Sequence, residues 1–179
     1  MARGGDNLKE KLAKTIDLLI RQIDSLSNMA EEFSSFAKMP DPIMQRTNLT
    51  QVFTDSISLN EKEMGQTIEA QLPENPIFIE ADPHQLVRIF NNLLKNAIQA
   101  IPEDRKGEIS VKMWHEGFKT VVIQVVDNGK GIPENLYGKI FSPNFSTKNS
   151  GMGLGLAITK KIIEQFNGSI EFVSELDRG

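Results

Sequence analysis

Asn92 and Asn96 stand four residues apart, with Asp127-Asn128-Gly129-Lys130-Gly131 and then Gly151-Met152-Gly153-Leu154-Gly155-Leu156 further along the chain. On a helix, side chains four apart share one face. An amide oxygen is a hard, neutral ligand suited to Mg2+, an ion that keeps several waters and borrows oxygens from phosphates. Asp127 ends an alternating run and shares its face with Val121, Ile123 and Val125. A carboxylate at such an apolar border can accept a hydrogen bond from the exocyclic amine of adenine. Gly129 and Gly131 remove side chains, so a flat base can lie against the backbone. Gly151, Gly153 and Gly155 lead into a helical pattern, where glycine backbone can turn its N–H groups toward phosphates. Ser146, Thr147 and Lys148, just before them, add hydroxyls and a positive charge. In that order the segments form a site for a metal, an adenine base and a triphosphate.

Each segment alone also has a plainer reading. Two asparagines can decorate a solvated helix face, and Asp-Asn-Gly is a common turn after a strand. The glycine spacing fits neither GxxxxGK[ST] nor GxGxxG. Asparagine is a mediocre helix former, yet Asn91, Asn92 and Asn96 fall in one helical segment. The ordered set is far more specific than any member.

The elements that must position these residues can be read from pattern. Between Asn7 and Lys38 there is neither proline nor glycine, and Leu8, Leu12, Leu19, Ile23, Leu26, Ala30, Phe33 and Ala37 recur mostly at steps of three and four. The spacing predicts one long amphipathic helix with a seam for other helices. Asp6 or Asn7 is the expected cap. The alternative is an ordinary core helix of the same domain. Met39-Pro40-Asp41-Pro42 ends it as a stiff link. Asn48-Leu49-Thr50-Gln51 reads as a capping box opening a helix to about Met64. Short strands are expected over Gln66 to Gln71 and Ile77 to Glu80. Asp82-Pro83 caps the next helix, with Gln85 reaching back and Pro102 as the stop. Its apolar face is Leu86, Ile89, Phe90, Leu93, Leu94, Ala97, Ile98 and Ile101. Gly107 to Trp114 and Lys119 to Asp127 alternate as strands around a turn at His115-Glu116-Gly117. Pro133 to Ser150 reads as a loop with one helical turn, Leu156 to Phe166 as a helix closed by Asn167-Gly168, and Ile170 to Val173 as a last strand. This mixture predicts an α+β sandwich with helices on one sheet face.

The 179 residues suffice for one domain and an appendage. Their 39% hydrophobic and 25% charged content is that of a globular protein. A net charge of -4 argues against nucleic acid as the main partner. The absence of cysteine excludes disulfides and thiolate chemistry. His84 and His115 are too far apart in sequence to suggest a histidine-rich metal site. No apolar run approaches the roughly 20 residues of a membrane span, so a cytosolic piece without membrane contact is expected, with any inner-membrane anchor in a longer parent.

Asn92-Leu93-Leu94-Lys95-Asn96-Ala97, Asp127-Asn128-Gly129-Lys130-Gly131-Ile132-Pro133, Ile140 through Lys148 and Gly151 through Ala157 resemble the ATP-binding boxes of sensor histidine kinases. Ile23-Asp24-Ser25-Leu26-Ser27 through Met39-Pro40 resembles the helix preceding that domain in nitrogen-regulation-type kinases. The resemblance implies a Bergerat-type two-layer α/β sandwich with a mixed sheet over residues 41–179. Over residues 1–40 it implies the second helix of a dimerising, phosphotransfer hairpin. It further implies Asn96 as the Mg2+ ligand assisted by Asn92, and Asp127 holding adenine above Gly129, Gly131 and Ile132. Phe141 and Phe145 would anchor a short ATP lid. Thr147, Lys148 and the run Gly151, Met152, Gly153, Leu154, Gly155, Leu156 would surround the phosphates. Asn92, Asn96 and Lys148 would be the catalytic set.

The partners implied are ATP, a second copy through the N-terminal helix, and a response regulator served by the parent kinase. In hydrolysing relatives the position of Asn92 usually carries a glutamate. An amide cannot act as a general base, which favours phosphoryl transfer over fast hydrolysis. The family's acceptor histidine, followed by Glu or Asp and then Asn-Pro, has no counterpart at His84 or His115. A fragment that does not phosphorylate itself is therefore expected. The rivals are a dimerising nucleotide-binding module without catalysis and a hydrolytic ATPase of the same superfamily. Gln99 and Ala100 depart from a phosphate-binding cation and an aromatic. Relatives usually run past Asp177-Arg178-Gly179 into a final strand, so the Ile170 to Val173 strand is expected to lack one neighbour.

Overall fold

The proline-free N-terminal segment forms a single helix, α1 (Arg3–Ala37), of 35 residues and about 52 Å. The computed structural model describes residues 3–38, 40–65, 67–143, 145 and 153–179. Because α1 begins at Arg3, Asp6 and Asn7 lie inside it and do not cap it. Leu12, Ile16, Leu19, Ile23, Leu26 and Phe33 are all exposed, Leu26 to 63%. Ile16 fills a step missing from the expected seam. These side chains are not part of the core of the adjoining domain.

Residues 40–44 have no regular structure and lead into β1 (Gln45–Asn48). This strand is absent from the sequence expectations, because Gln-Arg-Thr-Asn has no apolar alternation to betray it. Backbone pairing with β3 (Phe78–Ala81) holds it antiparallel, Gln45 opposite Ala81. Thr47 Oγ1 adds a buried bond to the Ala81 carbonyl at 2.9 Å, and the Arg46 guanidinium lies 4.3 Å from the Phe78 ring centroid.

Asn48 caps α2 (Leu49–Met64), its Oδ1 accepting from Gln51 N at 3.1 Å. The capping box is one-sided, because Gln51 Nε2 donates to Asp55 at 2.8 Å instead of reaching back. β2 (Ile68–Gln71) follows. Asp82 caps α3 (Pro83–Ala100), accepting from His84 N at 2.9 Å and Gln85 N at 3.4 Å. It also accepts from Ile43 N at 3.0 Å, fastening the linker to the domain. Burial pushes the Asp82 carboxyl up, but the N–H groups of Ile43, His84 and Gln85 outweigh it and leave the group below the usual carboxylate range. Gln85 does not close a box: Nε2 donates to Pro40 O at 3.4 Å, and Oε1 is buried without a hydrogen-bond partner.

β4 (Ile109–Glu116) and β5 (Thr120–Asp127) form an antiparallel hairpin with Ile109 opposite Asp127 and Glu116 opposite Thr120. The turn is at residues 117–119, later than the pattern suggests, so His115 and Glu116 stay in the strand. β2 joins parallel to β4, giving a mixed sheet of order β2-β4-β5 beside the β1-β3 pair. Ile109, Val111 and Met113 point inward and are buried, while Trp114 and Val126 on the other face are exposed. The core lies between that inner face, α2, α3 and α4 (Gly155–Gln165). Phe53 and Phe90 meet in it at 4.4 Å between centroids, and Ile158 and Ile162 bring in α4. The fold is the expected α+β sandwich.

Asn167, in the left-handed region at φ 58, and Gly168, whose N–H bonds Ile163 O at 2.9 Å, close α4. Residues 170–173 are not a strand. A strand requires a paired neighbour, and among the described residues β5 pairs only with β4.

Candidate functional site

α3 is the spine of the site. At its middle, Asn92 is half-buried and not on a solvated face. Its Nδ2 donates to the Gly155 carbonyl at 3.3 Å, with Thr159 Oγ1 at 3.4 Å. A Cβ on Gly155 would lie 3.7 Å from the Asn92 amide, so the first turn of α4 sits directly against that side chain. Asn91 plays a different part, since its Oδ1 accepts from the fully buried Asn60 Nδ2 at 2.9 Å and ties α3 to α2. Asn96, also half-buried, lies one turn beyond Asn92 on the same helix.

At the far end of α3, the Ala100 carbonyl accepts from Lys130 N at 3.0 Å. The loop after β5 is therefore pinned to the helix terminus. Any Cβ on Gly129 would come within 2.5 Å of Asp127 Oδ1 and 2.7 Å of the Ala100 Cβ. No residue but glycine fits there without displacement. Asp127 Oδ1 accepts from Gly129 N at 2.9 Å, which orients the carboxylate at the loop's mouth. Asn128 continues the ladder, with N bonded to Glu108 O at 3.1 Å, Oδ1 accepting from Glu108 N at 2.9 Å and Nδ2 donating to Lys106 O at 2.9 Å. Gly131 has φ +66, and a side chain there would run into the Glu175 carbonyl. Ile132 is half-buried, its N–H donated to Ser174 Oγ at 2.8 Å.

Phe141 packs edge-on to Phe172 at 6.0 Å, with Lys160 Nζ 5.6 Å from its ring centroid. Tyr137, in a 3-10 turn at Glu134–Lys139, meets the same Phe172 at 4.9 Å. Gly153 has φ +64 and lies against the Phe145 carbonyl. Leu154 is buried and Leu156 half-buried. Leu154 stands at the N-cap of α4 and has no side-chain acceptor for the first-turn N–H groups. Those donors and the positive end of the helix dipole are then suited to an anion. Ser146, Thr147, Lys148, Gly151 and Met152 lie outside the described residues.

The structure thus brings together Asn92 with Gly155 and Asp127 with Gly129 at two points eight residues apart on α3, about 12 Å. Residues such as Arg105 and Ser174, which brace the loop after β5, give no signal in the sequence. Each is a lone polar residue in an irregular segment, and only its partners reveal it. For the metal, the donor set is telling. Among the described residues no group of three or more His, Cys, Asp or Glu side chains gathers as a metal cage. A single amide such as that of Asn96 fits an ion that arrives with phosphate oxygens and waters.

Residues 81–179 match the family model described as histidine kinase-, DNA gyrase B- and HSP90-like ATPase. The sensor histidine kinase ZraS of Salmonella typhimurium is 35% identical over 165 residues, covering 90% of this chain and 35% of that protein. The nitrogen regulation protein NtrY of Azorhizobium caulinodans is 32% identical over 169 residues, covering 91% of this chain and 22% of that protein. The chain thus spans about a third or less of these relatives. Among solved structures, histidine kinase ThkA in complex with the response regulator protein TrrA aligns with a TM-score of 0.69 and 28% identity, covering 89% of this chain and 46% of that chain. No helix among the described residues is long and apolar enough to cross a membrane.

Proposed function

The chain belongs to the histidine kinase-, DNA gyrase B- and HSP90-like ATPase family as the ATP-binding catalytic region of a sensor histidine kinase, and from that premise we propose that it binds Mg-ATP and transfers the γ-phosphoryl group to a histidine carried outside this sequence. In that step the bond from the γ-phosphorus to the β–γ bridging oxygen breaks, a phosphorus–nitrogen bond forms, the imidazole gives up a proton and ADP leaves. A response regulator is then the next acceptor, and the cytoplasm the site of action.

The observation that carries the reading is the pairing of two ends on α3. The Gly129 loop is held against Ala100, and Asn92 against Gly155. A nucleotide laid along that helix has its base at Asp127 and its phosphates at the N-terminus of α4. Asp127 accepts the exocyclic amine, Gly129 and Gly131 keep the base plane clear, and Ile132 walls it. The α4 N–H groups, with Thr147, Lys148, Gly151 and Met152, hold phosphate oxygens. Asn96 holds Mg2+, with Asn92 assisting; the ion supplies charge neutralisation at the β- and γ-phosphates. Asn92, whose amide cannot take a proton from water, disfavours hydrolysis as the main output.

Residues 1–40 are proposed as a dimerisation helix and 41–179 as the catalytic domain. His84 sits at the capped start of α3 and His115 near the end of β4, both exposed and neither of them on α1. With γ-labelled ATP and a separately supplied histidine-bearing helical hairpin, acid-labile, base-stable label is expected on the hairpin and none on this chain. Steady phosphate release without label transfer would overturn the reading in favour of a hydrolytic ATPase.

A further inference from the structure

Resting on the base-binding role of Asp127, we infer that Arg105 is a positioning residue that sets the geometry of adenine recognition from outside the pocket. One nitrogen of its guanidinium, Nη1, directs its two N–H groups at three backbone carbonyls, one of them shared: Asn128 at 2.6 Å, Gly129 at 2.8 Å and Asp177 at 3.0 Å. The first two belong to the turn that immediately follows the Asp127 carboxylate. The third belongs to the C-terminal turn, whose Asp177 adopts φ 63, a conformation unusual for a residue with a side chain.

That turn is itself seated on the base loop. Asp177 N donates to Lys130 O at 3.0 Å, and the Glu175 backbone fills the space where a Gly131 side chain would be. Arg105 therefore clamps two layers, the loop that faces the base and the turn that backs it. Its Nη2 is 3.9 Å from the Asp177 carboxylate, a partly exposed pair of small energetic weight. The carbonyl bonds carry the clamp, because hydrogen bonds from a charged donor are stronger than neutral ones.

The consequence is specific to one end of the nucleotide. Gly129 N holds Asp127 Oδ1, and Gly129 O is held by Arg105. Releasing the Asn128 carbonyl lets the peptide that carries the Gly129 N–H rotate, and the carboxylate loses its fixed aim, while the next peptide stays pinned by Lys130 N on the Ala100 carbonyl. Among the described residues, Arg105 makes no hydrogen bond or ion pair with Asn92, Asn96 or the first turn of α4. Arg105 thus acts on base affinity and base choice, and leaves phosphate binding alone.

Calorimetry on the full chain with Mg-ATP, Mg-GTP and Mg-tripolyphosphate tests this. Arg105→Gln is expected to weaken ATP about tenfold and to erode the preference for ATP over GTP, with tripolyphosphate binding within about twofold of wild type. Arg105→Lys, which keeps the cation but is shorter, is expected to recover part of the loss. ATP binding unchanged in folded Arg105→Gln would overturn the inference, as would equal losses of ATP and tripolyphosphate. If Arg105→Gln does not fold, Arg105→Lys carries the test: a loss confined to ATP supports it, and an unchanged or uniform response refutes it. A wild-type chain that binds ATP and GTP equally would instead remove the underlying role of Asp127.

Discussion

Asp127 and the two glycines that follow it make the base end of the proposed site a matter of single atoms. A carboxylate that accepts an exocyclic amine discriminates adenine from a base with a carbonyl at that position. Removing a charged hydrogen bond of this kind costs about 1.5–3 kcal/mol. Asp127→Asn is therefore expected to weaken ATP by about one to two orders of magnitude, measured by calorimetry, while the protein melts close to wild type. Gly129→Ala is expected to lose nucleotide binding as well, because its Cβ would press on Asp127 Oδ1 and Ala100. At the other end, Asn96→Ala should abolish the magnesium dependence of ATP binding; the ATP isotherm with and without EDTA reads this directly. The residues of the proposed site are legible in the sequence because each role proposed for them demands a residue type: amide, carboxylate, glycine. Arg105 and Ser174 are not, because a brace to backbone carbonyls can come from almost any position with a polar side chain.

Among the elements, α3 does the organising, and its start is the most sensitive point. Asp82 satisfies two first-turn N–H groups and holds Ile43. Asp82→Ala is expected to destabilise the domain by about 1–2 kcal/mol, readable as a shift of the urea midpoint. Its folded-state carboxyl lies below the ordinary range, so its stabilisation is present above the unfolded pKa of about 4. That contribution disappears as pH falls through the lower folded value. The wild-type protein should therefore lose more stability than Asp82→Ala over the acid window below about pH 4. Helices α2, α3 and α4 are readable from their apolar period and caps, and β4 and β5 from alternation. β1 is not, because its pairing with β3 rests on backbone bonds and one threonine. The 170–173 segment has a strand's composition without a strand's neighbour. Composition registers side chains, whereas a strand is a relation between two backbones.

For the whole molecule, the exposed seam of α1 is the outstanding feature. Leu12, Ile16, Leu19, Ile23, Leu26 and Phe33 recur at steps built from fours and threes, the period of a helix packed on helices. A second copy of the chain is the proposed cover. Ile23→Glu with Leu26→Glu is expected to convert a dimer to a monomer in light scattering and to leave ATP affinity unchanged, since the seam is remote in sequence from α3 and β5. Dimers that persist in that double variant would place the contact elsewhere. The proposed nucleotide chemistry depends on one site along α3, between the Gly129 loop and the first turn of α4. Calorimetric titration of the chain with ATP, in magnesium and again in EDTA, tests it most directly. A one-site isotherm that needs the metal and vanishes in Asp127→Asn/Asn96→Ala is the predicted result. Equal heats with and without magnesium, or no binding by a folded wild-type chain, would contradict it.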